Sequence, residues 1–79
     1  MSLRPADFPT FTMDAVICTV TRAASEEKLV AHFTSLAGDS LCALVFYSNA
    51  GRTRIAKVLK HIAHAMQCER RVGTLARAR

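Results

Sequence analysis

The 79-residue sequence has no apolar run long enough to cross a lipid bilayer as a helix. Its longest run, residues 41–47, falls far short of the roughly 18 residues that such a helix requires. The first twelve residues contain Pro5 and Pro9 and no apolar core segment, so they do not match a secretory signal. We therefore expect a protein without a membrane span, located in the cytoplasm.

Cysteine is sparse and irregularly spaced. The three cysteines, Cys18, Cys42 and Cys68, are an odd number and form no Cys-x-x-Cys pair, which argues against a disulfide framework. Reduced thiols are expected instead. His61, His64 and Cys68 would share one helix face but spread along about 10 Å of it, too far to converge on one ion. We expect no metal and no cofactor.

Catalytic patterns are also missing. The sequence has no Gly-x-x-x-x-Gly-Lys-Ser/Thr loop and no Gly-x-Gly-x-x-Gly run. The adjacent carboxylates of Glu26 and Glu27 are explained by a helix start, where they favour the positive end of the dipole. A nucleophilic cysteine needs a nearby base and an electropositive setting, and only Cys68, beside His64 and Arg71, comes close to both. The chain is predicted not to be an enzyme, and a phosphate-ligand enzyme built on the turn at 48–53 is the weakest alternative.

What the sequence does have is a division of charge. Residues 1–51 hold three Arg or Lys and five Asp or Glu, a net charge of −2, whereas residues 52–79 hold eight and one, a net charge of +7. A field this uneven attracts an anionic partner. The predicted binding residues are the basic side chains of the last third, namely Arg52, Arg54, Lys57, Lys60, His61, His64, Arg70 and Arg71.

The aromatic residues narrow the choice of anion. All five lie outside residues 52–79, so the basic segment lacks the stacking groups that hold single-stranded nucleic acid. An acidic protein surface is the first expectation, and a duplex phosphate backbone bound by the same residues is the alternative. The chain is predicted to be a small regulatory protein, an adaptor or inhibitor of the size that phages and mobile elements carry. Its hydrophobic content of 51% also leaves self-association as a homo-oligomer open.

Three patterns predict the elements of the first two thirds. The β-branched cluster in residues 12–21 favours a first strand. Ser25 can cap a helix whose apolar face would hold Leu29, Val30, Phe33 and Leu36, with Gly38 and Asp39 ending it. The apolar run 41–47 predicts a buried strand, although a buried helix also fits it.

The last third gives the strongest periodicity. After a turn at 48–51, apolar residues recur at helical spacing to about Cys68, namely Ile55, Val58, Leu59, Ile62 and Met66. The basic residues of this segment fall on the opposite side of the helix. Gly73 suggests that the helix has ended before a tail, 72–79, which would form a short edge strand or a loose basic end.

The predicted organisation is an extended arm, residues 1–12, followed by one compact domain, residues 13–79, with a basic C-terminal helix and tail. The predicted fold is α+β, or small α/β, in the order β-α-β-α with a short C-terminal strand left open. An all-α domain is the alternative if residues 13–21 and 41–47 are both helical.

Overall fold

The computed structural model describes the backbone of residues 2–25 and 27–77 and the side chains of residues 2–25 and 27–66. In the described part of the chain, a short 3₁₀ turn is followed by four strands, which form one antiparallel sheet in the order β1-β2-β3-β4, and then by one helix. The elements are the 3₁₀ turn Pro5–Asp7, β1 Phe11–Met13, β2 Val16–Arg22, β3 Lys28–Ser35, β4 Ser40–Tyr47 and α1 Arg52–Arg77. The fold is a small α+β unit of order β-β-β-β-α, so the predicted order β-α-β-α was wrong, as were its α/β and all-α variants.

The helix predicted after Ser25 is in fact strand β3. Its buried residues Leu29, Ala31 and Phe33, each 0% exposed, alternate with more exposed neighbours at the period of two that defines a half-buried strand. The helical spacing seen in the sequence needs Leu36 in the core, but that side chain is 64% exposed. Hydrogen bonding to β2 on one side and β4 on the other decides the conformation.

The predicted helix cap belongs to the turn between β2 and β3. The Ser25 Oγ accepts a hydrogen bond from the Glu27 N–H at 3.4 Å, and the Ser25 carbonyl accepts one from the Lys28 N–H at 3.2 Å. A serine hydroxyl bonds a following backbone N–H in a turn as readily as at a helix start. The same local chemistry therefore serves both structures.

The first predicted strand is two strands. β1 and β2 form a hairpin in which Met13 lies opposite Val16, leaving Asp14 and Ala15 as the turn. Asp14 has φ 52, a left-handed conformation that aspartate tolerates better than most residues. The prediction missed this turn because the sequence carries no glycine there.

The strand at 41–47 and the C-terminal helix were placed correctly, but the predicted burial of the strand and the predicted length of the helix were wrong. Residues 41–47 do form a strand, β4, but it lies at the edge of the sheet and only Phe46 in it is buried. The helix continues to Arg77, so the predicted break at Gly73 and the tail strand or loose end were wrong. In the part of the chain that the structure describes, no helix combines the length and apolarity needed to cross a membrane.

The core lies between one face of the sheet and α1, which packs mainly over β2 and β1. The N-terminal segment closes one end of it, because Leu3 and Phe8 are buried and the Phe8 ring meets the Phe46 ring edge-on at 5.6 Å. Within residues 52–66, the part of α1 whose side chains are described, Leu59 and Ala63 are the buried residues. On the other face of the sheet, residues such as Thr19, Val30 and Val45 are half-buried or exposed, and we call this side the open face.

Candidate functional site

α1 separates apolar from basic side chains. Leu59 and Ala63, 1% and 0% exposed, face the sheet. On the opposite side, five basic residues are all exposed and occupy an arc of about 120° along roughly 15 Å of helix. We call this surface the basic face; its members are Arg54, Lys57, Lys60, His61 and His64.

The two lysines of the basic face, Lys57 and Lys60, are exposed to solvent. Neither Lys57 nor Lys60 forms an ion pair with any residue that the structure describes. A surface ammonium group held in no internal contact can be desolvated or paired by a partner without disrupting the fold. These two lysines are thus available to a binding partner.

The remaining predicted site residues lie elsewhere. Arg52 is the first residue of α1 and lines a shallow cleft with Arg4 and Asp7, apart from the basic face. Arg70 and Arg71 belong to the helix, but their side chains lie outside the described residues. The structure therefore brings together five of the eight predicted residues.

The apolar side of α1 differs from the predicted one at Val58, which is 37% exposed. Ala56 and Ala63 take its place against the sheet, one half-buried and one buried. The sequence pattern favoured the larger apolar side chains, whereas small residues let a helix approach a sheet more closely. The contact arc is therefore rotated towards the alanines, and Val58 lies at its margin.

A half-open groove of about 280 Å³ adjoins the basic face. Its apolar lining includes Phe8, Phe11 and Leu59, and Lys60 and Asp7 also line it. The sequence did not reveal this groove, because it forms only when the N-terminal segment folds back against α1. Two phenylalanines in a proline-containing arm were the one signal that could have suggested it.

Cys18 also lines the groove, but as a packing residue. Burial, and secondly the nearby Cys42, raise the pKa of the Cys18 thiol from 9.0 to about 11. The thiol is therefore protonated at neutral pH and is a poor nucleophile. Cys42 is exposed, with its Sγ 3.6 Å from the Sδ of Met66, and the Cys68 side chain lies outside the described residues.

The turn before α1 already uses two of its backbone N–H groups, those of Ser48 and Ala50, in hydrogen bonds to other carbonyls. Ser48 is buried, and its N–H donates to the Glu27 carbonyl at 2.8 Å while its own carbonyl accepts from the Leu3 N–H at 2.6 Å. Its amide is therefore already used. Within residues 2–25 and 27–66, no three His, Cys, Asp or Glu side chains cluster as a metal site.

Comparisons with known proteins add no assignment: no family model, no curated protein and no solved structure matches this chain.

Proposed function

We propose that this chain is a small non-catalytic binding protein, an adaptor or inhibitor, which applies the basic face of α1 to an acidic surface of another protein. The observation that carries the proposal is the exposure of five basic side chains together on the side of the helix opposite the core. Surface charges of this kind contribute little to folding. Their concentration on one face is better explained by a partner.

Electrostatics gives this arrangement a direction. The segment that contains α1 carries a net charge of +7, and the segment that contains the sheet carries −2. An acidic partner is attracted to the helix and repelled from the sheet, which speeds association and favours one orientation on approach. The basic face therefore supplies the on-rate and part of the specificity.

The groove favours a protein over a nucleic acid as the partner. Lys60 belongs both to the basic face and to the lining of the groove, so a ligand can contact both surfaces at once. An apolar side chain of a partner protein would fill the groove, as buried anchor residues do at protein interfaces. Carboxylates next to it in the partner would contact Lys57 and Lys60. A duplex presents phosphates to a basic face but no apolar group for the groove.

The experiment is affinity capture of the tagged protein from an extract of its own cells, with and without nuclease treatment. We expect an acidic protein to be retained after nuclease and to bind the purified chain in isolation. Recovery of nucleic acid alone, together with tight binding of a short DNA duplex, would replace this proposal by duplex binding. Binding of the DNA duplex has to be measured directly, because an acidic protein and a duplex would both bind more weakly as the salt concentration rises and salt alone does not distinguish them.

A further inference from the structure

Strand β4 forms a free edge of the sheet. Its eight residues, Ser40–Tyr47, pair with β3 alone and include no charged residue and no proline. Val45 and Tyr47 are 55% and 57% exposed. A long, uncharged edge strand with exposed apolar side chains is a template for pairing with another strand.

The opposite edge is built differently. β1 has three residues, Phe11–Met13, and it lies between Pro9 and the left-handed turn residue Asp14. Short edge strands, prolines and turns with nearby charge are the usual means by which proteins prevent edge pairing. The chain therefore protects one edge of its sheet and leaves the other open.

The hydrogen-bonding pattern identifies the free groups of β4. The Ser48 N–H donates to the Glu27 carbonyl at 2.8 Å, and such bonded pairs recur at every second residue of an antiparallel ladder. Counting back along β4 by this alternation, Ala43, Val45 and Tyr47 direct their N–H and C=O groups away from β3, and of these groups the Tyr47 C=O already accepts a hydrogen bond from the Ala50 N–H at 3.1 Å. Their side chains lie on the open face, because α1 covers the other side.

We propose that two copies of the chain pair antiparallel through β4 to form one eight-stranded sheet. An antiparallel edge is complementary to itself under a twofold axis, so a second copy presents the matching strand. With the axis at Val45, this residue lies opposite itself, and Ala43 of each copy lies opposite Tyr47 of the other. Ala43 and Val45 each offer an outward N–H and C=O to the partner strand, and Tyr47 offers its N–H.

Charge favours a second copy over other partners for this edge. Each copy has a net charge of +5, yet the residues of β4 contribute none of it. The Lys28 ammonium lies over the Tyr47 ring, 5.3 Å from its centroid, and is therefore near the ends of the paired strands and not at Val45 in their centre. The twofold axis is perpendicular to the sheet and therefore places both helices on the same side. α1 packs mainly over β2 and β1 and also reaches β4, where the Met66 Sδ lies 3.6 Å from the Cys42 Sγ.

The test compares two valine substitutions on the open face. Val45→Lys adds a charge at the free edge, whereas Val30→Lys adds the same charge directly opposite Val45 but on the central strand β3. Light scattering after gel filtration, from low to high micromolar concentration, gives the dimer dissociation constant. We expect the wild type and Val30→Lys to be dimers. For Val45→Lys we expect the dimer dissociation constant to increase about tenfold or more, because like charges then face each other.

Val45→Pro is a second variant, which removes the outward N–H without adding charge and should also be monomeric. Circular dichroism identifies any variant that has lost the fold. Three results would each overturn the proposal. The first is a wild-type chain that is monomeric at every concentration, and the second is a folded Val45→Lys variant that remains dimeric. The third is a Val30→Lys variant that dissociates as much as Val45→Lys, which would indicate that the copies pack through the open face. The basic face is not changed by any of these variants, so the outcome is independent of the proposed function.

Discussion

The sheet-facing side of α1 and its basic face belong to one helix but affect the molecule in different ways. Leu59 and Ala63 are almost fully buried, and their packing against the sheet stabilises the fold by removing apolar surface from water. Lys57 and Lys60 are exposed and unpaired among the described residues, so water already solvates their charges. The comparison indicates that one side of the helix specifies the fold while the other remains free to specify a partner.

The largest expected effect comes from breaking the buried side. Leu59→Ala should lower the free energy of unfolding by about 2–5 kcal/mol, because it leaves a cavity in the core. Leu59→Asp should unfold the domain, since an unpaired buried carboxylate costs several kcal/mol against a total stability of about 5–15 kcal/mol. Denaturant titration followed by circular dichroism measures both changes.

Val58 provides the matched control for Leu59, because it is adjacent in sequence but 37% exposed. We expect Val58→Asp to remain folded and to lose no more than about 1 kcal/mol. Equal destabilisation by the two aspartate substitutions would show that the helix is rotated relative to the sheet, and the division between its two sides would then have to be redrawn.

A smaller effect is expected from the thiol beneath α1. The pKa of Cys18 is raised from 9.0 to about 11, so folding favours its neutral form. This contribution to stability is complete below pH 9 and is lost as the pH rises through about 11, where the folded thiol also ionises. Denaturation curves over this range should therefore show a steeper loss of stability in the wild type than in Cys18→Val. Parallel pH dependence of the two proteins would indicate that Cys18 is accessible to water.

The smallest effect on stability should come from the basic face. Reversing Lys57 and Lys60 to glutamate should change the free energy of unfolding by no more than about 1 kcal/mol per residue, since exposed charges contribute about that much. Thermal melting gives the answer. A variant that is unfolded at room temperature would mean that these lysines support the fold and are not simply solvated.

The helix and its basic face could be predicted from the sequence because a 3.6-residue period sustained over a dozen residues has no competing explanation. Leu59 and the basic residues follow from that period alone. That Ala63 and not Val58 is buried against the sheet does not follow from the period, because periodicity gives the arc of apolar residues without showing which part of the arc contacts the sheet. Only the position of α1 over β2 determines that.

Strand β3 could not be predicted in the same way. Leu29 and Phe33 are four residues apart, a separation that places both on one face of a helix and on one face of a strand. The choice is made by pairing with residues distant in the chain, such as Val20 and Leu44 on either side of Ala31. The free edge also depends on this strand pairing, and the groove depends on the packing of Phe8 against the core. Neither the strand pairing nor the packing of Phe8 produces a local pattern in the sequence.

The most direct measurement of the basic face is the binding of the captured acidic partner to two double variants with the same net charge. Lys57→Glu with Lys60→Glu reverses two charges on the basic face, and Arg22→Glu with Lys28→Glu reverses two charges on β2 and β3. Both changes reduce the net charge from +5 to +1, so any difference between them reports position and not total charge. We predict that titration calorimetry will show at least a roughly hundredfold loss of affinity for the helix pair, since like charges across an interface cost several kcal/mol, and a loss of less than about tenfold for the sheet pair. Equal loss of affinity in the two folded variants, or undiminished binding by the helix pair, would contradict the assignment of the basic face as the binding surface.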